Sequence, residues 1–526
     1  MTLSKANISS GLLGALGVWL FANYPVVALY AHNSGELMLE QIFLPIAFFT
    51  VASAIILVFW FLLYNDILKA GLATVLFFLL FWNYGLVYDG LAGIIPLQHW
   101  HLLPILLLVY GHLAWSLAKA KRRKTLWNLS MILFVPLLLL VAYNSAIIVT
   151  AEYKKHRTKS KYENIIRPGP VTAAGKNYPD IYLLVLDEFA SLKTIKDEWD
   201  YDNGAFAGKL RSMGFYVTGN SWSRYNQTIW SLTSLFNLDY ITGPVEQGSF
   251  LNLISDPEGI SGLATDSFLS KVDFNEVMQD LNNNFLTNYL HERGYKLVIL
   301  EGISQHQSSF KIRNADITIA YQDVDKTDRE GYFADAFNME LLKKTMLMPV
   351  DLFVKLNRTF NVNFAGTKYI INYLKKDVQQ IESPKFIYAH ILCPHAPYVF
   401  DREGNPVEPF NAESQRVGGV IPAKNTVNEA YLEQYIYMCR EVVNIANCHI
   451  GKKTAGDPVI IVQSDHGPRP FMVYLKNRIN TYKVFNAVYF PDGNYMDLYD
   501  SIAPVNTMRV LLNKYFGEKY KMLEDK

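Results

Sequence analysis

The sequence predicts a two-part chain: a domain of five membrane-spanning helices, then an α/β domain on a mostly parallel central sheet. Three observations predict it. Long apolar segments crowd the stretch before residue 150. A polar, basic break follows at 151–178. Beyond it, short apolar strand-like runs alternate with helix-like ones over 179–526. At 526 residues the chain is too long for one ordinary core. A net charge of +1 gives no case for nucleic acid.

A span needs about 20 mostly apolar residues. Five segments qualify: Gly11–Ala31, Ile42–Tyr64, Gly71–Val87, Leu102–Ala118 and Leu126–Val149. A soluble helical core rarely stacks such runs with so few charges between them. The loops at 32–41 and 88–101 carry no Lys or Arg, whereas 65–70 holds Lys69 and 119–124 reads KAKRRK. Positive loops stay inside, so residues after Val149 are expected outside the cytoplasmic membrane of a multi-pass protein, periplasmic or extracellular. Lys5 before the first apolar run also fits a signal peptide. The other four spans leave the C-terminus outside in either case. The spans lack paired charges, which counts against a transporter.

Residues 151–178, with Pro168-Gly169-Pro170, read as a tether. After it, Ile181–Leu186, Lys296–Leu300, Lys385–His390 and Val459–Gln463 are short continuous apolar runs, as buried parallel strands are. An amphipathic helix over Asn428–Cys448 precedes the last. Cys393, Cys439 and Cys448 are too few for a disulfide framework. Cys439 and Cys448 on one helix would lie roughly 13 Å apart, beyond disulfide reach, so all three are expected as buried thiols.

Ligands of parallel sheets bind at the carboxyl ends of the strands. There the sequence sets Asp187-Glu188, then His390 and His395 in HILCPHAPY, then Asp465-His466-Gly467. Any one of these has a plain structural explanation as a helix cap or a turn. Together at one sheet edge, carboxylates and imidazoles suit a divalent cation, zinc or manganese (or magnesium). Thr228 stands just before the apolar helix-like run IWSLTSLFNL. A hydroxyl there is either an N-cap or, beside a metal, a nucleophile for phosphorus or sulfur.

This order of motifs, after five spans, resembles the alkaline phosphatase and sulfatase superfamily. It is most similar to the membrane-bound branch of lipoteichoic acid synthases and phosphoethanolamine transferases. The likeness covers the layout and four short motifs over residues 180–468. It implies an alkaline-phosphatase-like fold for the α/β domain. It implies a metal site of Asp187, Thr228, Asp465 and His466, with Thr228 as nucleophile. His390 and His395 match the H-x4-H pair of the family, which implies substrate binding by both; His395 would bind the transferred group or act as an acid. Glu188 resembles the second carboxylate of sulfatases, without a settled role. Formylglycine sulfatases carry C-x-P-x-R where this chain has TIWSL at 228–232, so an oxidised-cysteine mechanism is not expected. After SDHG the chain reads PRPFMVYLKNR rather than supplying further histidines. That leaves a second metal open and offers Arg469 as an anion-binding group. Residues 243–369 match no motif.

The resemblance implies transfer of a phospho-substituent, phosphoethanolamine- or phosphoglycerol-like, from a lipid donor to an envelope acceptor through Thr228. The bilayer and a lipid or glycan substrate are the expected partners; nothing sets an oligomeric state. Water as acceptor makes the same residues a sulfatase-like hydrolase of phosphodiesters or sulfuric esters. A catalytically inactive envelope-assembly protein would show the loss of a ligand, and none of the four is missing.

Overall fold

The computed structural model describes residues 5–34, 37, 39–92, 94–95, 97–157, 178–241, 274–301, 311–320, 336–407, 424–451, 456–469 and 475–525. They form two compact units. The first holds the described residues up to Arg157 and residues 336–356; the second holds the rest.

The first unit contains α1 (Lys5–His32), α2 (Phe43–Tyr64), α3 (Ile67–Ala92), α4 (His99–Lys119) and α5 (Arg123–Arg157). All five are long and apolar enough to cross a membrane. Asn65, at φ 49°, ends α2 in a left-handed turn. Asp66 then accepts the Leu68 N–H at 2.9 Å and starts α3. The predicted tether begins later than expected. α5 runs past Val149 because its polar end is anchored: Glu152 accepts from Tyr30 Oη at 2.6 Å, and Lys155 donates to Glu152 and to the Leu37 carbonyl, both at 2.7 Å. Most of the expected tether lies outside the described residues.

From Ile181 onward the chain forms β1 (Ile181–Leu186), α6 (Leu192–Trp199), α7 (Gly204–Ser212), β2 (Tyr216–Val217) and α8 (Thr228–Asn237). Next come α9 (Phe274–Asn282), α10 (Phe285–Glu292), β3 (Lys296–Glu301) and β4 (Ile317–Ala320). α11 (Ala336–Lys343), α12 (Met348–Lys375), β5 (Lys385–Ile391), α13 (Lys424–His449), β6 (Val459–Ser464), β7 (Asn486–Tyr489) and α14 (Pro504–Phe516) complete it. The four predicted strands are β1, β3, β5 and β6.

One boundary needs correction. The sequence assigned all of 179–526 to the extracytoplasmic domain, yet 336–356 fall in the first unit. The cause is apolar packing: Phe337 and Leu341 are buried in one cluster with Ala22, Val26, Tyr30, Phe49, Phe78, Phe81 and Trp82.

The sheet of the second unit has the order β2-β7-β6-β1-β5-β3-β4. β6, β1, β5, β3 and β4 are parallel, and β7 runs antiparallel at one side. β1 is buried at every position, as a strand covered on both faces must be. Tyr182, Leu184 and Leu186 pack with the α13 residues Tyr431, Tyr435 and Met438. Ile181, Leu183 and Val185 pack on the other face with Ile229, Leu232 and Leu235 of α8. Cys393 and Cys439 are buried thiols as expected, while Cys448 is half-buried; all three are free.

Candidate metal centre

β1 lies between β5 and β6, with Leu186 level with Ile391 and with Ser464. The three strand-end motifs therefore meet at one edge. Asp187 follows β1, its N–H bonded to the Ile391 carbonyl at 2.9 Å. Asp465 and His466 follow β6. His390 stands in β5 opposite Val185.

One donor atom each from Asp187, His390 and Asp465 lie within 4.8 Å of one another. His466 Nε2 is 3.3 Å from Asp465 Oδ2 and 3.7 Å from Asp187 Oδ1. All four side chains are buried. His390, assigned by motif to substrate, thus faces the same carboxylates as His466, its Nε2 4.0 Å from Asp187 Oδ2.

The donor chemistry fits a cation. Asp187 Oδ1, Asp465 Oδ2 and both ring nitrogens of His390 have no hydrogen-bond partner among the described residues. Buried polar atoms rarely go unpaired without a reason. Asp465 Oδ1, by contrast, accepts the His466 N–H at 2.8 Å and the Glu188 N–H at 3.3 Å. That fixes the carboxylate and leaves Oδ2 free. His466 Nδ1 is 2.9 Å from the Gly467 carbonyl. A carbonyl only accepts, so Nδ1 carries the proton and Nε2 turns its lone pair toward the cluster. Gly467 permits this turn: a Cβ there would lie 2.0 Å from the Asn480 carbonyl oxygen.

The electrostatics agree. Burial, then repulsion from Asp465 and Glu188, pushes Asp187 well above the usual carboxylate range. Burial pushes His390 down to about 4. Burial and then Arg469 push His466 down to about 3. Both imidazoles are neutral near pH 7, the form that ligates metal.

Thr228 is the first helical residue of α8, and Gln227 is the N-cap, so the N-cap explanation of Thr228 does not hold. Its Oγ1 lies 3.3 Å from His466 Nε2. The hydroxyl is beside the cluster and at a helix N-terminus, where anionic charge is favoured.

Glu188 turns away from the cluster. Its φ of 59° is left-handed, rare for a non-glycine residue. Its carboxylate meets Arg469 Nε at 3.2 Å and His395 Nε2 at 3.8 Å. Burial alone would raise it, but the charges of His395 and Arg469 more than offset that and hold it below its usual value. Arg469 and His395, both half-buried, line this other side of the site.

Two supporting residues escaped the sequence reading. Tyr431 Oη donates to the Glu188 carbonyl at 2.7 Å and accepts the Ala190 N–H at 3.1 Å. Gln434 accepts the Val399 N–H at 2.6 Å and donates to the Pro394 and His395 carbonyls, both at 3.2 Å, holding the loop of His395. The available signal was polar residues on the buried face of the helix before β6.

No protein-family model and no curated protein matches the chain. Among solved structures it is similar to integral membrane lipooligosaccharide phosphoethanolamine transferase A of Neisseria meningitidis, at 10% identity over 96% of this chain and 95% of that one, TM-score 0.42. It is similar to the C-terminal periplasmic domain of EptC of Escherichia coli in complex with zinc, at 12% identity over 65% and 83%, TM-score 0.36. A third likeness is to a protein of the alkaline phosphatase superfamily from Vibrio parahaemolyticus, at 10% identity over 65% and 67%, TM-score 0.34.

Proposed function

We propose that this chain is a membrane-anchored, metal-dependent transferase of the sulfatase-like branch of the alkaline phosphatase superfamily. It moves a phospho-substituent from a lipid donor to an acceptor in the cell envelope, outside the cytoplasmic membrane. The observation that carries this reading is Thr228 Oγ1 at the start of α8, 3.3 Å from His466 Nε2 and next to unpaired donor atoms of Asp187, His390 and Asp465.

Asp187, His390, Asp465 and His466 would hold one zinc or manganese ion. A bound divalent ion would lower the pKa of the Thr228 hydroxyl and offset charge on the transferred group. Thr228 Oγ1 attacks the phosphorus of the donor. An O–P bond forms, the P–O bond to the lipid alcohol breaks, and the hydroxyl proton ends on the leaving oxygen. An acceptor hydroxyl then takes the phospho-substituent and restores Thr228. Arg469 and His395 orient the non-bridging oxygens. Glu188 holds those two side chains in place and is not itself a ligand. The five spans keep the domain at the surface where a lipid donor lies.

Metal analysis and intact mass of the zinc- or manganese-loaded full chain, incubated with phosphatidylethanolamine or phosphatidylglycerol, test this. One ion per chain and a donor-dependent mass increase, absent in Thr228→Ala, are expected. Metal uptake with steady phosphodiester hydrolysis and no adduct overturns transfer in favour of hydrolysis. No metal uptake overturns catalysis altogether.

A further inference from the structure

The chemistry above makes no use of residues 336–348. In sequence they lie between β4 and β5, strands of the sheet, but they belong to the first unit. Their backbone is bonded to α3. Met346 N–H donates to the Phe81 carbonyl at 3.0 Å, and Gly85 N–H donates to the Lys344 carbonyl at 3.1 Å. Phe81 and Gly85 are one helical turn apart, so a turn of the segment lies flat against a turn of α3. Only glycine allows this approach: a Cβ on Gly85 would sit 2.1 Å from the Lys343 carbonyl oxygen.

The turn leaves no N–H unmatched from Lys344 to Met348. Lys344 donates to Leu341, Thr345 to Leu342, Met346 to Phe81 and Met348 to Thr345, all carbonyls. Leu347 N–H donates to Thr345 Oγ1 at 3.1 Å. Non-helical backbone is tolerated at membrane depth only when so satisfied. Phe337, Leu341 and Met348 are buried against the spans. Leu347 is 40% exposed and Leu86, beside Gly85 on α3, is 74% exposed. Lys343 and Lys344 are exposed too.

Depth follows from α3. With the 65–70 loop inside, Ala92 marks its outer end. At 1.5 Å per residue, Gly85 lies about 10 Å and Phe81 about 16 Å below that end. Gly85 falls in the outer half of a hydrocarbon layer about 30 Å thick, and Phe81 falls at about its midplane. Long lysines at that depth reach up to phosphate headgroups while their stems stay in the apolar layer.

We propose that residues 336–348 are a re-entrant membrane element of the outer leaflet, with Leu347 against acyl chains and Lys343 and Lys344 against lipid phosphates. The inference rests on the membrane reading of the five helices. Its partner is the bilayer surface itself, engaged by chain that the apolar spans alone do not mark.

Nitroxide labels on single cysteines test it in the full chain, reconstituted in phosphatidylcholine and phosphatidylglycerol vesicles. The half-buried Cys448 is removed as a labelling site by Cys448→Ser; Cys393 and Cys439 are buried. A label at Leu347→Cys should collide more with dissolved oxygen than with a water-soluble nickel chelate, as should a control at Leu139→Cys on α5. Water-like collisions at Leu347 with lipid-like collisions at Leu139 overturn the proposal alone. Water-like collisions at both overturn the membrane reading with it. Gly85→Val should expel the turn and make the Leu347 label water-accessible while Leu139 stays lipid-facing. An unchanged label in that variant overturns the backbone docking. The Leu347 measurement in the parent stands even where Gly85→Val fails to fold.

Discussion

The two ends of the same central strands bury charge in opposite ways. At the amino ends, Lys385 is 1% exposed and fully engaged. Its Nζ donates to the Ile381 carbonyl at 2.6 Å and pairs with Asp180 Oδ2 at 3.5 Å. Asp180 also accepts the Lys385 N–H at 3.2 Å through Oδ1. At the carboxyl ends, Asp187 and Asp465 are buried side by side, facing neutral imidazoles rather than cations. One edge is a closed ion pair that registers strands; the other sets two carboxyl groups side by side, with no Lys or Arg paired to either among the described residues. Burial of charge marks a site only when the partners are missing.

The largest expected effect breaks that contrast at the open edge. Asp465→Asn should abolish binding of zinc or manganese and transfer. It should also stabilise the metal-free protein by about 1 kcal/mol at pH values where Asp187 is ionised, because it removes a repulsion there. Equilibrium dialysis and denaturant unfolding check the two halves. Lower stability of the metal-free variant would show that Asp465 is compensated within the chain after all.

The closed edge should respond with the other sign. Asp180→Ala strands a buried ammonium and should cost roughly 3–5 kcal/mol in denaturant unfolding. Metal affinity in the protein that remains folded should not change. A metal defect there would mean that the two edges are one network.

Next in size is pH. Metal binding needs Asp187 as carboxylate, while the metal-free protein holds it protonated well above the usual range. Affinity should fall by about tenfold per pH unit below that raised pKa and level off above it. His390, at about 4, and His466, at about 3, are already neutral and add no competing proton above about pH 5. The metal-free fold should show the converse. Asp187 favours folding fully below the ordinary carboxylate pKa, and that contribution is lost as pH rises through its raised value. Chelator competition and unfolding across pH 5 to 8 measure both; affinity independent of pH would remove Asp187 from the ligand set.

The same contrast explains what could be read from the sequence. β1 was legible because Ile181–Leu186 is apolar throughout, and Asp187, Asp465 and His466 because each ends such a run. The closeness of His390 to Asp187 was not, since it depends on β5 pairing Val185 with His390, a register no local pattern specifies. Glu188 faces away from the cluster of Asp187, His390 and Asp465 through its left-handed φ, and adjacency to Asp187 argued the opposite. Residues 336–348 were hidden because their apolar content is far shorter than a span. They bury a few side chains and rely on Gly85, a residue of another helix, for their fit.

The smallest effect probes the hinge between the Asp187 and Glu188 sides of the site. Tyr431 Oη ties the Glu188 carbonyl to the Ala190 N–H and so holds the left-handed turn that sends the two acidic side chains in different directions. Tyr431→Phe keeps the ring packed against Trp199 and removes only the hydroxyl. Stability should fall by about 1 kcal/mol. The turn should loosen on the Glu188 side, so transfer should drop by less than about tenfold, through weaker holding of Arg469 and His395, with metal affinity unchanged. Metal loss in this variant would mean that Glu188 and Asp187 do not act separately, and that the left-handed turn serves the ion rather than the substrate.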